Sequence, residues 1–202
     1  MKKTLIFLLI GLFTVSCASY KAERVDDKTS DAKSMEITDN WMGEDTKQSV
    51  KKLMEQMKNH RGFKRMMGKF KGTPKVFIAE VQNNTSEAYF PIDDLNDEFL
   101  YEVSAGGDFV LVDAKARDKI LAEITYQNDG MVDPAQAKQI GRQLGADFMI
   151  FGNVYMKPEK RGSKTLKEYS VNLRMTNVET AGEVFRLRTR VNKFSNKKTY
   201  GW

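Results

Sequence analysis

Val50, Leu53, Met54 and Met57 recur at i, i+3, i+4 and i+7, the spacing of one helical face. This pattern predicts a helix from Asp45 or Thr46, both of which suit an N-cap. Lys47, Lys51, Lys52 and Lys58 line its other sides. The stretch 61–72 then carries five cations, three glycines and two phenylalanines. It reads either as a membrane-surface segment or as a basic connector or short helix whose Phe63, Met66 and Phe70 tuck into the core, and we adopt the second. Lys75 to Val81 is apolar on both faces, the mark of a central strand. Asn83 to Ser86 breaks it; Asn84-Thr85-Ser86 fits a glycosylation sequon but is read as a turn. Pro91 suits the first position of a helix, with Asp93 and Asp94 near its positive end. Ile92, Leu95, Phe99 and Val103 form its buried stripe, and Gly106-Gly107 stops it.

Phe109 to Val112 reads as a short strand. Asp113 caps a helix with Ala116, Ile120, Leu121 and Ile124 inward, and Asp129-Gly130 turns the chain. Asp133-Pro134 begins a further helix through Ala137, Ile140, Gly141 and Leu144, stopped by Gly145. Asp147 to Met156 is a long apolar strand, followed by a basic loop from Pro158 to Lys164. Glu168 to Val178 alternates, with Tyr169, Val171, Leu173 and Met175 on one side. Thr180-Ala181-Gly182 turns the chain into a last strand, Val184 to Phe194. The order α, β, α, β, α, α and a three-strand meander predicts an α+β domain: a mixed, mostly antiparallel sheet of about 4–5 strands flanked by helices. No period of about 20–50 residues recurs, which excludes a repeat architecture.

The amino terminus has a different pattern. Lys2-Lys3 precedes an apolar run from Leu5 to Phe13 and then Thr14-Val15-Ser16-Cys17. The run is shorter than the ~20 residues a membrane-spanning helix needs, and it reads as an export signal. It resembles a bacterial lipoprotein signal, with Cys17 as the lipidation site. Small Ser16 fits that pattern, while Thr14 stands where leucine is usual. The alternative is an ordinary signal cut after a residue such as Ser19. Lipid on Cys17, palmitate included, contributes ~0.8 kcal/mol per buried CH2, enough for a lasting anchor. Ala18, where an aspartate would favour inner-membrane retention, points to the outer membrane with the domain facing the periplasm. Residues 1–16 are thus assigned to the signal peptide, 17–44 to a disordered tether and 45–202 to the globular domain. Such a tether reaches roughly 90 Å fully extended and averages about 30 Å as a coil. Ile37 and Trp41-Met42 are apolar for a tether, so its far end is expected to dock on the domain.

Removing the signal leaves about 185 residues, enough for one domain and a tail. Cys17 is the chain's one cysteine, so no disulfide framework is expected and the domain depends on its core. The formal charge of +6 directs attention to acidic partners, anionic polymers or lipid head groups outside the cytosol, or simply to a solvated basic surface. Catalysis needs an activated nucleophile, a metal cluster or a paired acid and base. His60 stands alone among lysines, Gly141 to Gly145 lacks the dinucleotide pattern, and Asp26-Asp27 and Asp93-Asp94 read as tether and cap residues. No enzymatic activity, metal, cofactor, nucleic acid or small-molecule substrate is expected. In the last strand Arg186, Arg188 and Arg190 alternate with Phe185, Leu187 and Thr189, which puts the guanidiniums on one face. Arg174 joins them from the neighbouring strand. Such a cluster suits an acidic partner, a cover of acidic helices, or a solvated face.

Arg117 to Gln127, Asp133 to Lys138, Gly141 to Gly152 and Leu173 to Thr180 carry a resemblance to the LpoB-type penicillin-binding-protein activators. Ala181 departs from the family's direct passage from Glu-Thr to Gly and should lengthen the last turn. The resemblance implies a fold like the TolB N-terminal domain. It also implies a non-catalytic outer-membrane lipoprotein that binds and stimulates a bifunctional peptidoglycan synthase, a penicillin-binding protein, in the periplasm. Two other readings stay open at this stage. One is an envelope scaffold related to the periplasmic domain of the curli secretion lipoprotein CsgG. The other is binding of an anionic wall polymer through Lys157, Lys160, Arg161, Lys164 and the arginine strand, with the salt sensitivity that exposed charges bring.

Overall fold

The computed structural model describes Thr29, residues 38–112 and residues 145–196. The signal, most of the tether including Cys17 and Ile37, the helices expected over 113–144 and the last six residues lie outside the described residues. Within them the elements run α1 (Gly43–Asn59), α2 (Arg61–Lys69), β1 (Lys75–Asn84), α3 (Ile92–Gly106), β2 (Val110–Leu111), β3 (Phe148–Arg161), β4 (Lys164–Asn177) and β5 (Glu183–Asn196). The five strands form one sheet in the order β2-β1-β3-β4-β5. β1 is parallel to β2 and β3, while β3, β4 and β5 form an antiparallel meander. The chain therefore has the α+β architecture with a mixed sheet that its hydrophobic pattern predicts.

The predicted stripes close the main core on one face of this sheet. Val50, Leu53 and Met57 of α1 and Leu95, Phe99 and Val103 of α3 pack with Val76, Ile78, Ile150, Tyr169, Val171 and Phe185. Fully burying such a side chain is worth about 1.5–3 kcal/mol. The alternate residues Phe77, Ala79, Met149 and Phe151 form a smaller buried cluster. β1 and β3 thus bury both faces, as the continuous apolar run of β1 requires. α3 ends as expected, with Gly107 in the left-handed conformation at φ 67°. Phe63 is buried in α2, and Met66 and Phe70 pack partly against the core. The connector is a helix with a buried foot, and His60 caps it, its Nδ1 accepting the Gly62 N–H at 3.0 Å.

Several boundaries differ from expectation. β1 runs on through Asn83 and Asn84, the predicted break, because both pair with β3. Pro91 stands at the N-cap of α3, one place before its first residue. α1 begins at Gly43, ahead of both predicted caps. Asp45 instead reaches back from the first turn, where its carboxylate accepts the Met42 N–H at 2.9 Å. Thr46 accepts the Trp41 indole N–H at 2.9 Å. A short polar side chain satisfies helix-end donors from either side of the boundary, so residue type alone leaves the start uncertain by a few positions. The predicted basic loop is also largely strand. β3 continues through Lys157–Arg161 and β4 starts at Lys164, joined by Gly162 and Ser163. β1 pairs with β3 only as far as Tyr155, so Pro158 lies where β3 has become an edge and a missing N–H is tolerated. Both faces of this tip are exposed, so no hydrophobic alternation marks it in the sequence.

The end of the chain before α1 docks firmly. Trp41 is 5 % exposed, its ring 5.1 Å from Phe90 and 5.3 Å from Tyr169. Lys167 Nζ lies 2.9 Å from Glu87 and 3.3 Å from Asp39. Asp39 also accepts the Ser195 hydroxyl, and Lys193 pairs with Asp45 at 2.6 Å. Docking of this segment, expected from its apolar residues, is present at Trp41.

Candidate functional site: an arginine face on the three-stranded ribbon

Alternation along β4 and β5 builds the site. Tyr169, Val171 and Leu173 turn to the core, and so do Phe185 and Leu187, which leaves Ser170, Asn172, Arg174, Arg186, Arg188 and Arg190 on the other face. Register then sets them in rows across three strands. Phe151 faces Arg174, which faces Arg186; Asn153 faces Asn172, which faces Arg188; Tyr155 faces Ser170, which faces Arg190. Residues directly opposite have Cβ atoms about 5 Å apart, so the four arginines that the sequence singles out share one surface. They line an open groove of about 330 Å³ whose floor includes Asn153, Ser170 and Asn172.

Each guanidinium has a defined neighbour. Arg174 lies over the Phe151 ring, 4.4 Å from its centroid, and its side chain is only 15 % exposed. Arg186 pairs with Glu183 at 2.8 Å, and Glu183 also lies 3.9 Å from Arg174. Arg188 Nε donates to Asn172 Oδ1 at 2.7 Å, and Asn172 donates to Asn153 at 3.1 Å. Arg190 stands 3.8 Å from Glu168. Four cations against two carboxylates leave the face positive. Arg186 and Arg190 keep 58 % and 55 % of their side-chain surface exposed, and among the described residues no acidic helix covers them. Fork-shaped donors held by an amide ladder suit bidentate recognition of carboxylates. The sequence pointed to the arginines but not to Asn153, Asn172, Ser170 and Tyr155. Their signal was the complement of the β4 alternation: polar residues between buried ones mark the second face.

The remaining candidates are dispersed. Lys157, Lys160, Arg161 and Lys164 sit exposed at the hairpin tip, with Lys157 paired to Glu159 at 2.7 Å. Asp93 and Asp94 stand in the first turn of α3. Among the described residues no group of three or more His, Cys, Asp or Glu side chains could hold a metal ion, and no helix is long and apolar enough to cross a membrane.

The described residues form a small α+β domain whose antiparallel meander carries an open, arginine-lined sheet face. The chain belongs to the peptidoglycan-synthase activator LpoB family, whose sequence profile matches residues 45–191. It is similar in structure to the LpoB C-terminal domain of Salmonella enterica, with 13 % identity and a TM-score of 0.49 over 73 % of this chain and 98 % of that one. The Escherichia coli LpoB C-terminal domain aligns over the same shares with 15 % identity and a TM-score of 0.43. Lipoprotein GNA1162 of Neisseria meningitidis aligns with 10 % identity and a TM-score of 0.41, covering 63 % of this chain and 88 % of that one. No curated protein matches the chain by sequence.

Proposed function

We propose that the domain binds a penicillin-binding protein in the periplasm and stimulates its peptidoglycan synthesis through the face carrying Arg174, Arg186, Arg188 and Arg190. In this reading the chain is held at the outer membrane by lipid on Cys17, and residues 18–37 give it reach. The observation that carries the reading is the exposed guanidinium rows on a chain of the synthase-activator family. Activation follows if the domain binds the active state of the synthase more tightly than the inactive one, since a ligand shifts an equilibrium only by its differential affinity.

The test adds residues 18–202, without lipid, to the synthase of the same cell and measures glycan polymerisation and cross-linking. The rate should rise and saturate. Arg186→Glu, Arg188→Glu and Arg190→Glu together should raise the half-saturating concentration about tenfold or more, with the unfolding midpoint near that of the parent. A synthase whose rate is unchanged by the parent domain overturns the reading. Stimulation that survives the triple reversal moves the contact to another surface.

A further inference from the structure

The second face of the ribbon does not end at the arginines. β5 alternates without interruption from Arg186 to Asn196, so Phe194 shares the face of Arg190. It is 64 % exposed, and Leu166 of β4 lies directly opposite it. Tyr155, 47 % exposed, stands in the Arg190 row. Four residues separate Arg190 from Phe194, about 13 Å at ~3.3 Å per residue. Between them runs a polar row of Lys157, Glu168 and Asn192. Burial explains the apolar residues on the core face of these strands, but it does not explain an exposed phenylalanine on the other one. Exposed aromatic residues beside arginines make up the centres of protein interfaces.

We propose that this face is bipartite and docks an extended acidic segment of a partner protein. Its carboxylates meet Arg188 and Arg190, and one apolar side chain rests on Leu166 and Phe194, four to six residues along. Identifying that partner with the synthase rests on the function proposed above; the chemistry of the surface does not. Charge complementarity favours this occupant. The groove is cationic, whereas Glu168 repels a carboxylate in the row before the apolar foot and so spaces the two halves. A uniformly charged wall polymer would use the arginines and leave Phe194 idle. The two halves act on different quantities: the arginines set the salt-sensitive association, and the apolar foot sets how long the complex lasts.

Isotope-labelled residues 18–202 would be titrated with two peptides of equal charge and followed by amide chemical shifts. One is Glu-Glu-Glu-Ser-Ser-Ser-Leu and the other ends in serine; each is also made in reverse order. One leucine-bearing peptide should bind about tenfold tighter than its serine counterpart and move the amides of Leu166 and Phe194 as well as those of the arginines. Phe194→Ser should abolish that gain without changing the affinity of the serine peptide, and Arg188→Glu should weaken both. Equal affinities, a gain that survives Phe194→Ser, or shifts confined to the hairpin tip would overturn the proposal. If the peptides behave as expected but the synthase is not stimulated, the docking surface stands and the synthase reading falls; the reverse pattern rejects the surface alone.

Discussion

Ala181 sits at φ 57°, in the left-handed region that side chains with a Cβ disfavour. It belongs to the turn between β4 and β5, where Asn177 accepts the Thr180 N–H at 2.7 Å and donates its own N–H to Gly182 at 2.9 Å. The extra residue noticed against the family pattern is thus taken up as one left-handed position, beside a register shift at Met175/Thr176. Ala181→Gly should raise stability by about 1 kcal/mol, seen as a higher urea midpoint at unchanged slope. Gly152 was legible only as one position in an apolar strand. A Cβ there would lie 2.1 Å from the Asn172 carbonyl oxygen, part of the neighbouring strand's backbone. Gly152→Ala should cost about 1–3 kcal/mol, and more if the β3–β4 ladder parts, with loss of the Asn153–Asn172 contact under the arginine groove. Ser49 tells the opposite story: its hydroxyl is fully buried in α1 with no hydrogen-bond partner among the described residues. Ser49→Ala should be neutral or stabilising by about 1 kcal/mol in the same assay, because an unpaired buried hydroxyl gives nothing in return for its lost water.

At the scale of elements, hydrophobic period predicted structure wherever one face was buried. The stripes of α1 and α3 and the alternation of β4 were readable for that reason. The hairpin tip was not, because Lys157–Arg161 is held by cross-strand backbone pairing and shows no inward face. The clamp before α1 was half readable. Trp41 gave a signal, whereas Asp39, Glu87, Lys167 and Ser195 are ordinary polar residues until the fold brings them together. Burial would lower the Lys167 pKa, but the Glu87 and Asp39 carboxylates outweigh it and raise it. The Ser195 hydroxyl, with help from Lys167, holds the Asp39 carboxyl below its ordinary 3.8. A carboxyl depressed by folding stabilises the native state above its unfolded pKa and loses that contribution as pH falls through the folded value. Acidification below about pH 4 should therefore weaken the strap, with Trp41 still holding it, and Asp39→Asn should flatten this part of the stability profile. Trp41→Ala should cost about 3–5 kcal/mol and open the chain near residues 38–46 to proteolysis, read by urea unfolding and limited digestion.

For the whole molecule, the strap fixes where the preceding chain leaves the domain: beside Lys167 and Ser195, towards the tip end of the ribbon and on its core-side surface. The arginine groove opens on the opposite surface of the same strands, so a pull from an anchor would not draw the chain across it. If residues 18–37 act as the proposed tether, reach and recognition are separable. Deleting residues 20–37 shortens the reach by roughly 60 Å at ~3.3 Å per residue and leaves the strap and the groove intact. The shortened, lipid-free protein should stimulate the synthase in solution as the parent does. In cells, lipidated at Cys17, it should fail to support synthesis, and a Gly/Ser replacement of equal length should restore function because only span matters. Function in cells with the deletion, or no rescue by the flexible replacement, would show that residues 20–37 do something other than bridge a distance. The in-solution assay separates the outcomes: loss there points to a contact made by the deleted residues themselves, and retention leaves geometry as the cause.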